Sequence, residues 1–207
     1  MHRVALHFDP NCPWTWLTSR WLLQVGAKEG FTVGLVPFSL AHLRRDEQHS
    51  WSPERQAVRD SGQSVLRVIE HLARTGDEAT AHRVYATWGD LTHQQRRTRD
   101  QALVRQLLDR LDLDATTTAA ADDTTLDAAI GQRTDAALTA VGEGVGSPIL
   151  EWDDAGETVW IFGPIIDELP DETDALDLWR GVQVLAGQDR FKELKRGRRG
   201  RPRMPAA

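Results

Sequence analysis

Short runs of β-branched and aromatic residues near the start of the chain enclose a segment with helical spacing. Residues 3–8 and 31–38 have the composition of strands, and residues 12–27 between them carry apolar side chains three and four positions apart. Two strands joined by one helix are expected to lie parallel, with a right-handed connection. The first part of the chain therefore predicts a β-α-β unit.

The middle of the chain, residues 41–142, predicts helices. Ser52-Pro53-Glu54 combines an N-cap residue with a proline suited to the first helical turn, and Thr124-x-x-Asp127 is a second helix-start pattern. Apolar residues recur at helical spacing in three stretches: Val65, Leu66, Val68, Ile69 and Leu72; Leu103, Val104, Leu107, Leu108 and Leu111; and Leu126, Ile130, Ala137, Leu138 and Val141.

The pattern returns to strands near the end of the chain. Residues 148–152 and 158–162 predict two strands, and Asp153-Asp154-Ala155-Gly156-Glu157 between them predicts a hairpin turn. Pro170-Asp171-Glu172 begins a last helix. The order β-α-β, helices, β-β-α predicts an α/β fold with a helical block.

Composition favours a cytoplasmic protein. The 207 residues contain one cysteine, so an internal disulfide is excluded, and neither a secretory signal nor an apolar run of membrane-spanning length is visible. The net charge is −6, but residues 191–207 hold seven Lys and Arg against one Glu. This local charge of +6 leaves −12 on the other 190 residues. An acidic body with a basic tail is not a general nucleic-acid-binding composition.

The single cysteine occupies a position that favours reactivity. Asp9-Pro10-Asn11 is a turn signal after the first strand, and Pro13 suits the first turn of the helix that follows. Cys12 is therefore predicted at a helix N-terminus, where backbone N–H groups and the helix dipole stabilise the thiolate. On this pattern the pKa of Cys12 is expected below the ordinary value of about 8.5.

These residues resemble the thioredoxin-like superfamily. Cys12-Pro13-Trp14 is similar to the start of the C-P-W-C motif of its DsbA-like branch, with Thr15 in the fourth position. Within that branch the chain resembles the actinobacterial mycothiol-dependent nitroreductase family. Further segments that carry this resemblance are Phe8-Asp9-Pro10, Trp16, Leu17-Thr18-Ser19-Arg20-Trp21, Tyr85-x-x-x-Gly89-x-x-x-His93, Val145-Gly146-Ser147-Pro148, Phe162-Gly163-Pro164, Leu178-Trp179-Arg180-Gly181 and Phe191-x-Glu193-Leu194-Lys195.

The resemblance implies a DsbA-like thioredoxin fold with a helical insertion. Residues 1–40 and 143–196 would form a discontinuous thioredoxin-like domain, residues 41–142 the insertion, and residues 197–207 a disordered basic tail. In such folds a cis-proline loop faces the active cysteine. Pro148 stands just before a predicted strand and fits that loop.

Site roles follow from the motif and the resemblance. Cys12 is the expected nucleophile, and the Thr15 hydroxyl can donate a hydrogen bond that lowers the pKa of the thiol. The resemblance places the expected substrate contacts at Pro13, Trp14, Ser147, Pro148, Tyr85 and His93. Trp14, two residues past the thiol, offers an aromatic surface for a planar substrate.

The missing second cysteine determines the expected mechanism. In C-x-x-C enzymes that cysteine resolves the mixed disulfide, so here an outside thiol must do so. The resemblance implies mycothiol or an equivalent low-molecular-weight thiol as co-substrate, with a disulfide or a nitro compound as substrate. No metal-ligand spacing or dinucleotide-binding glycine loop is present, so no tightly bound cofactor is expected. Electrons from NADPH would arrive through a separate thiol reductase.

Two alternatives stay open at this point. A glutathione transferase of the kappa type or a hydroxychromene isomerase has the same architecture, and Cys12 or Thr15 would there activate a bound thiol without a disulfide. A non-enzymatic DNA-associated or scaffold protein is the other. Arg199-Gly200-Arg201-Pro202 resembles the core of an AT-hook, although a solubilising tail is the simpler interpretation.

Overall fold

A four-stranded sheet organises the computed structural model, which describes residues 2–197 and 200–205. The strand order is β2-β1-β3-β4, with β1 parallel to β2 and antiparallel to β3, and β3 antiparallel to β4. The predicted β-α-β unit and the predicted hairpin are therefore confirmed. The strands are β1 (Arg3–Phe8), β2 (Thr32–Pro37), β3 (Ile149–Asp154) and β4 (Glu157–Phe162).

Helix α1 (Pro13–Glu29) connects the two parallel strands. Cys12 is its N-cap residue and Pro13 opens its first turn, as the sequence predicts. The helix ends at Gly30, whose φ of 79° is left-handed and whose N–H bonds the Gly26 carbonyl. Such a C-cap favours glycine because a Cβ strains this backbone conformation.

Residues 38–148 form helices and helical turns. The α-helices between β2 and β3 are α2 (Leu40–Leu43), α3 (Pro53–Thr75), α4 (Glu78–Gly89), α5 (Gln101–Leu111), α6 (Ala115–Ala119) and α7 (Asp127–Val141). Helix α8 (Glu172–Ala186) follows the hairpin of β3 and β4. Asp90–Gln94 continues α4 as a π-helical turn. Helices α2 to α7 lie between β2 and β3 in the chain, so the sheet is built from segments on both sides of this helical stretch.

Large aromatic side chains join α8 to the sheet and to α1. The Trp179 ring centroid lies 6.0 Å from that of Trp21, 5.1 Å from that of Phe31 and 5.6 Å from that of Trp152. Trp21 also donates its indole N–H to the Ala175 carbonyl at 3.0 Å. Burying rings of this size is a major source of folding free energy, so this cluster fixes α1, and with it Cys12, against the sheet.

The C-terminal segment differs from the expected disorder where it is described. The Arg203 N–H donates to the Asp167 carbonyl at 2.6 Å, and its guanidinium pairs with Glu168 at 2.6 Å. Met204 packs against the main hydrophobic core. Met204, one residue from the end of the described chain, therefore gives this arginine-rich segment an apolar contact with the body of the protein. Arg198 and Arg199, the latter being the first of the four residues of the AT-hook-like motif, lie outside the described residues.

Within residues 2–197 and 200–205, no helix is both long enough and apolar enough to cross a membrane.

Deleting residues 200–207 should lower the free energy of unfolding by about 1 kcal/mol, because it removes one exposed ion pair and the partial burial of Met204. Urea unfolding of the full-length and truncated chains measures this. The free energy of unfolding of the Arg203→Gln variant should fall by less than about 0.5 kcal/mol. Comparing this variant with the truncated chain distinguishes the contribution of the ion pair from that of Met204 packing. Unfolding midpoints identical in all three proteins would show that the docked segment contributes no stability.

Candidate active site

The turn between β1 and α1 sets the position of Cys12. The Cys12 N–H bonds the Asp9 carbonyl at 3.0 Å, and the Cys12 carbonyl accepts from the Trp16 N–H at 3.1 Å as the first bond of the helix. The Asp9 carboxylate accepts from the Asn11 N–H at 2.9 Å, which closes the turn. Asp9-Pro10-Asn11 therefore turns the chain sharply and leaves Cys12 at the first turn of α1.

Asp9 also ties this turn to two distant segments. Its second carboxyl oxygen accepts from the Leu40 N–H at 2.8 Å, and its own N–H donates to the Ser147 hydroxyl at 3.1 Å. The side chain is buried, and burial raises the pKa of Asp9 while the two backbone donors lower it. The sequence revealed Asp9 only as a turn residue, because its partners lie 31 and 138 positions away.

The loop before β3 faces the thiol, as the sequence predicts. The Ser147–Pro148 peptide bond is cis, and the Ser147 carbonyl lies 3.6 Å from the Cys12 sulfur, within reach of an S–H donor. The Ser147 hydroxyl lies 2.8 Å from the Thr15 hydroxyl and 3.2 Å from the His7 carbonyl, to which it can donate. Cys12, Thr15, Ser147 and Pro148 are thus brought together.

Burial of the thiol corrects the expected acidity of Cys12. Only 8% of the residue is exposed, and this burial raises the pKa of the thiol above its ordinary value. The Thr15 hydroxyl and the N–H groups of Thr15 and Trp14 act in the opposite direction and lower the pKa. The helix N-terminus that the sequence revealed is present, but desolvation of the charged form is the larger effect.

Thr15 lies beneath the thiol. The residue is 0% exposed, and its hydroxyl stands between Cys12 and the Ser147 hydroxyl. Ser147 can direct its proton to the His7 carbonyl while Thr15 donates to Ser147. When a thiolate forms, Thr15 can turn its proton to the sulfur and accept from Ser147 instead. These two hydroxyl groups can therefore reorient their hydrogen bonds when the charge on Cys12 changes, without a movement of the backbone.

Pro13 and Trp14 lie at the edge of the site in the first helical turn. Both are partly exposed, whereas Cys12 and Thr15 on either side are buried. The two positions can therefore meet a molecule that approaches the thiol from solvent. Their role in substrate binding stays a prediction.

Tyr85 and His93 lie behind the Cys12 turn and not on the accessible surface. His93 is 7% exposed and donates Nε2–H to the Pro10 carbonyl at 3.0 Å. Burial lowers its pKa to about 4, so the ring is neutral at physiological pH. Tyr85 is 0% exposed and packs its ring against Phe8 and Trp16, with centroid distances of 4.3 and 5.5 Å. In this arrangement both residues support the turn, because neither is open to a ligand from solvent.

Asn11 is a positioning residue that sequence reasoning missed. Its side chain donates to the Val58 carbonyl of α3 at 2.5 Å and accepts from the Trp88 indole of α4 at 3.3 Å. The close approach of α3 needs a glycine, because a Cβ on Gly62 would lie 2.3 Å from the Asn11 amide nitrogen. The helical insertion is thereby attached directly to the residue before Cys12.

The His7 ring takes no part in the site, although the His7 carbonyl accepts from Ser147. Its Nε2 lies 2.8 Å from a Glu151 carboxyl oxygen and its ring packs at a tilted angle against Trp160, with the centroids 4.9 Å apart, while burial lowers its pKa. Within residues 2–197 and 200–205, no group of three or more His, Cys, Asp or Glu side chains is arranged to hold a metal ion.

Comparison with known proteins identifies the family. The model of the Rv2466c-like family, described as mycothiol-dependent nitroreductase Rv2466c, matches residues 11–196. The uncharacterized protein Rv2286c of Mycobacterium tuberculosis (strain ATCC 25618 / H37Rv) is 32% identical over 211 residues, covering 100% of this chain and 84% of the relative. The chain belongs to the Rv2466c-like family, and it is accordingly a thiol-dependent oxidoreductase.

A solved structure shows the same fold. The cytosolic disulfide reductase DsbM from Pseudomonas aeruginosa matches with a TM-score of 0.55 and 17% sequence identity, covering 88% of this chain and 99% of that protein. The predicted DsbA-like thioredoxin fold is thereby confirmed. At this identity the likeness concerns the fold and not the substrate.

Replacing Thr15 by Val should raise the pKa of Cys12 further, because valine keeps the volume of threonine but removes the hydroxyl donor. The midpoint of the alkylation rate against pH measures this, and it should move upward by about one unit. Thr15→Ser keeps the donor and should stay near the wild-type midpoint. Equal midpoints in Thr15→Val and wild type would show that the hydroxyl does not reach the thiolate.

Replacing Gly62 by Ala should destabilise the fold by about 1–3 kcal/mol, because the new methyl group displaces the clamped Asn11 side chain. Gly181→Ala is a matched control: this residue lies exposed within α8 with nothing within 4 Å of an added Cβ. There alanine should stabilise by up to about 1 kcal/mol. Urea unfolding compares the two, and a Gly62→Ala protein as stable as wild type would contradict the clamp.

Proposed function

We propose that this member of the family is a thiol–disulfide oxidoreductase with a single catalytic cysteine, resolved by a low-molecular-weight thiol. One observation carries the proposal: the Cys12 sulfur stands at the start of α1, 3.6 Å from the carbonyl of the cis-proline loop, in a chain with no other cysteine. The family description supports mycothiol as the thiol. The substrate would be a disulfide or a nitro compound.

The first step is attack of the Cys12 thiolate on a disulfide R–S–S–R′. A bond forms between Cys12 and the sulfur of R, the original S–S bond breaks, and R′–S⁻ leaves and takes up a proton. The Thr15 hydroxyl and the first-turn N–H groups face the attacking sulfur. They would stabilise the negative charge again in the second step, when Cys12 is released from the mixed disulfide as a thiolate. Ser147 and Pro148 would hold the substrate alongside.

The second step needs a thiol from outside the chain. Its thiolate attacks the mixed disulfide, forms a new disulfide with the R sulfur and releases the Cys12 thiolate. A second external thiol then attacks this new disulfide, releases R as a thiol and leaves a disulfide of two external thiols, so that two electrons have passed from the external thiols to the substrate. A separate NADPH-dependent thiol reductase would return the resulting disulfide to thiols, in a compartment that keeps thiols reduced, such as the cytoplasm.

Reduction of a nitro compound would use the same two thiols, Cys12 and the external thiol. Joining Cys12 and the external thiol in a disulfide releases two electrons and two protons, which convert a nitro group to a nitroso group and water. A further external thiol would then free Cys12. The family description supports this substrate class, whereas the geometry of the cis-proline loop favours disulfides.

Burial of Thr15 argues against the transferase alternative. A transferase would activate a bound thiol without a covalent bond to the protein. Thr15 is 0% exposed, so of the two groups in the motif Cys12 alone can meet such a thiol. Cys12 is also the group that attacks a disulfide in thiol–disulfide exchange.

Mass spectrometry of the intact protein tests the proposal. Treatment with an oxidised low-molecular-weight thiol, mycothiol disulfide or bis(2-hydroxyethyl) disulfide, should add one thiol per chain, and excess reduced thiol should remove it. Cys12→Ser should form no adduct and lose exchange activity, while its unfolding curve stays close to wild type. A native protein that forms no adduct, although its unfolded form does, would contradict the proposal and favour the transferase.

A further inference from the structure

Two arginines from the helical insertion flank the Cys12 turn. Arg99, just before α5, donates Nη1–H to the Asn11 carbonyl at 3.1 Å. Arg59 belongs to the turn of α3 whose Val58 carbonyl holds the Asn11 side chain at 2.5 Å. Both residues are therefore held beside the peptide unit that leads into Cys12, although they lie 40 positions apart in the sequence.

Neither arginine has a carboxylate partner among residues 2–197 and 200–205. No ion pair joins Arg59 or Arg99 to an acidic side chain there. Asp9 attracts both guanidinium groups, but its two carboxyl oxygens are taken by the N–H groups of Asn11 and Leu40. Burial lowers the pKa of both arginines, as it does for partly desolvated cations.

Further cations reinforce this positive region. Arg44 and Arg55 act electrostatically on Arg59, and Arg201 of the docked C-terminal segment acts on Arg99. Arg55 and Arg59 also lie over the Trp51 ring, 5.0 and 5.6 Å from its centroid. A chain with a net charge of −6 thus gathers arginines from four separate segments around Arg59 and Arg99.

The guanidinium groups keep donors available for a ligand. Arg59 makes no hydrogen bond to the described residues, and Arg99 uses one nitrogen on the Asn11 carbonyl. A guanidinium group has five N–H donors in a planar fork that matches a carboxylate. Partly buried arginines without a carboxylate are unusual in a stable protein unless something else neutralises them.

We infer that Arg59 and Arg99 form an anion-binding subsite beside Cys12, which selects substrates that carry a carboxylate or similar anion close to the reacting sulfur. The inference rests on the proposed function and names its substrate class. A molecule bound through its anion would present its sulfur to Cys12 with the partly exposed Trp14 nearby. Arg201 would strengthen the subsite from the C-terminal segment.

Alkylation with two reagents of similar size tests the subsite. Iodoacetate and iodoacetamide react with the same thiolate and differ in charge, so their rate ratio reports the local field at Cys12. Normalised to the ratio in the urea-unfolded chain, native protein should favour iodoacetate by about tenfold. The preference should fall as salt is raised, because salt screens the field.

Matched variants locate the effect. Arg59→Gln and Arg99→Gln should each lower the ratio about threefold, and the double variant should remove the preference. Arg105→Gln, on the exposed face of α5, changes the net charge equally and should leave the ratio unchanged. If Arg99→Gln unfolds, Arg59→Gln still decides the question, because Arg59 makes no bond to the turn. No preference for iodoacetate in wild type, or an equal loss in Arg105→Gln, would overturn the subsite.

The two readouts separate this inference from the proposed function. Alkylation measures the charge around Cys12 and needs no disulfide exchange. Preference for iodoacetate without formation of a mixed disulfide would support the subsite and contradict the proposed function. Formation of the mixed disulfide without any charge preference would support the proposed function and contradict the subsite.

Discussion

The buried Asp9 side chain is the contact on which the geometry of the site depends. It closes the turn before Cys12 and binds the start of α2, and the backbone N–H of the same residue donates to the Ser147 hydroxyl. An intramolecular hydrogen bond contributes about 0.5–1.5 kcal/mol to stability, and a buried donor left without its partner costs about 1–3 kcal/mol. Without this carboxyl, the N–H groups of Asn11 and Leu40 would lose their partner, and the turn before Cys12 would no longer be tied to α2. The Asp9 N–H, which this turn holds in position, connects the same turn to the Ser147 hydroxyl of the cis-proline loop.

The reactivity of Cys12 is set by two opposing effects. The helix start and the Thr15 hydroxyl favour the thiolate, while enclosure between α1 and the Ser147 loop favours the thiol. A thiol of high pKa is less ionised at neutral pH, but its thiolate is a stronger nucleophile. The site therefore suits exchange with a partner that is bound first and then attacked. A binding subsite of arginines beside the thiol fits that requirement.

The sequence predicted the parts of the structure that local patterns determine. Strand runs, the Cys12-Pro13 helix start and the proline before β3 each depend on neighbouring residues, and all were found where expected. Burial of Cys12 and the inward positions of Tyr85 and His93 could not be predicted, because they depend on how the insertion packs on the turn. Pairing of distant residues leaves no periodic signal.

The surroundings of the two arginines and the contacts of the C-terminal tail also could not be predicted from local sequence patterns. Arg59 and Arg99 look like ordinary charged positions, since nothing in the neighbouring sequence shows that Asn11 binds the Val58 carbonyl beside Arg59 and accepts from Arg99. The composition of the tail predicts disorder, yet Met204 and Arg203 give it contacts with the body. The hydrophobic pattern therefore determined the scaffold, and side-chain contacts across the insertion determined the site.

Direct titration of the Cys12 thiolate tests the central claim, that burial outweighs the helix start in setting the state of this thiol. Ultraviolet absorbance of the thiolate is followed against pH, with Cys12→Ser as the blank. The account predicts a midpoint above the ordinary cysteine value of about 8.5. A midpoint clearly below that value would show that the first-turn donors and the nearby arginines dominate, and would contradict the account.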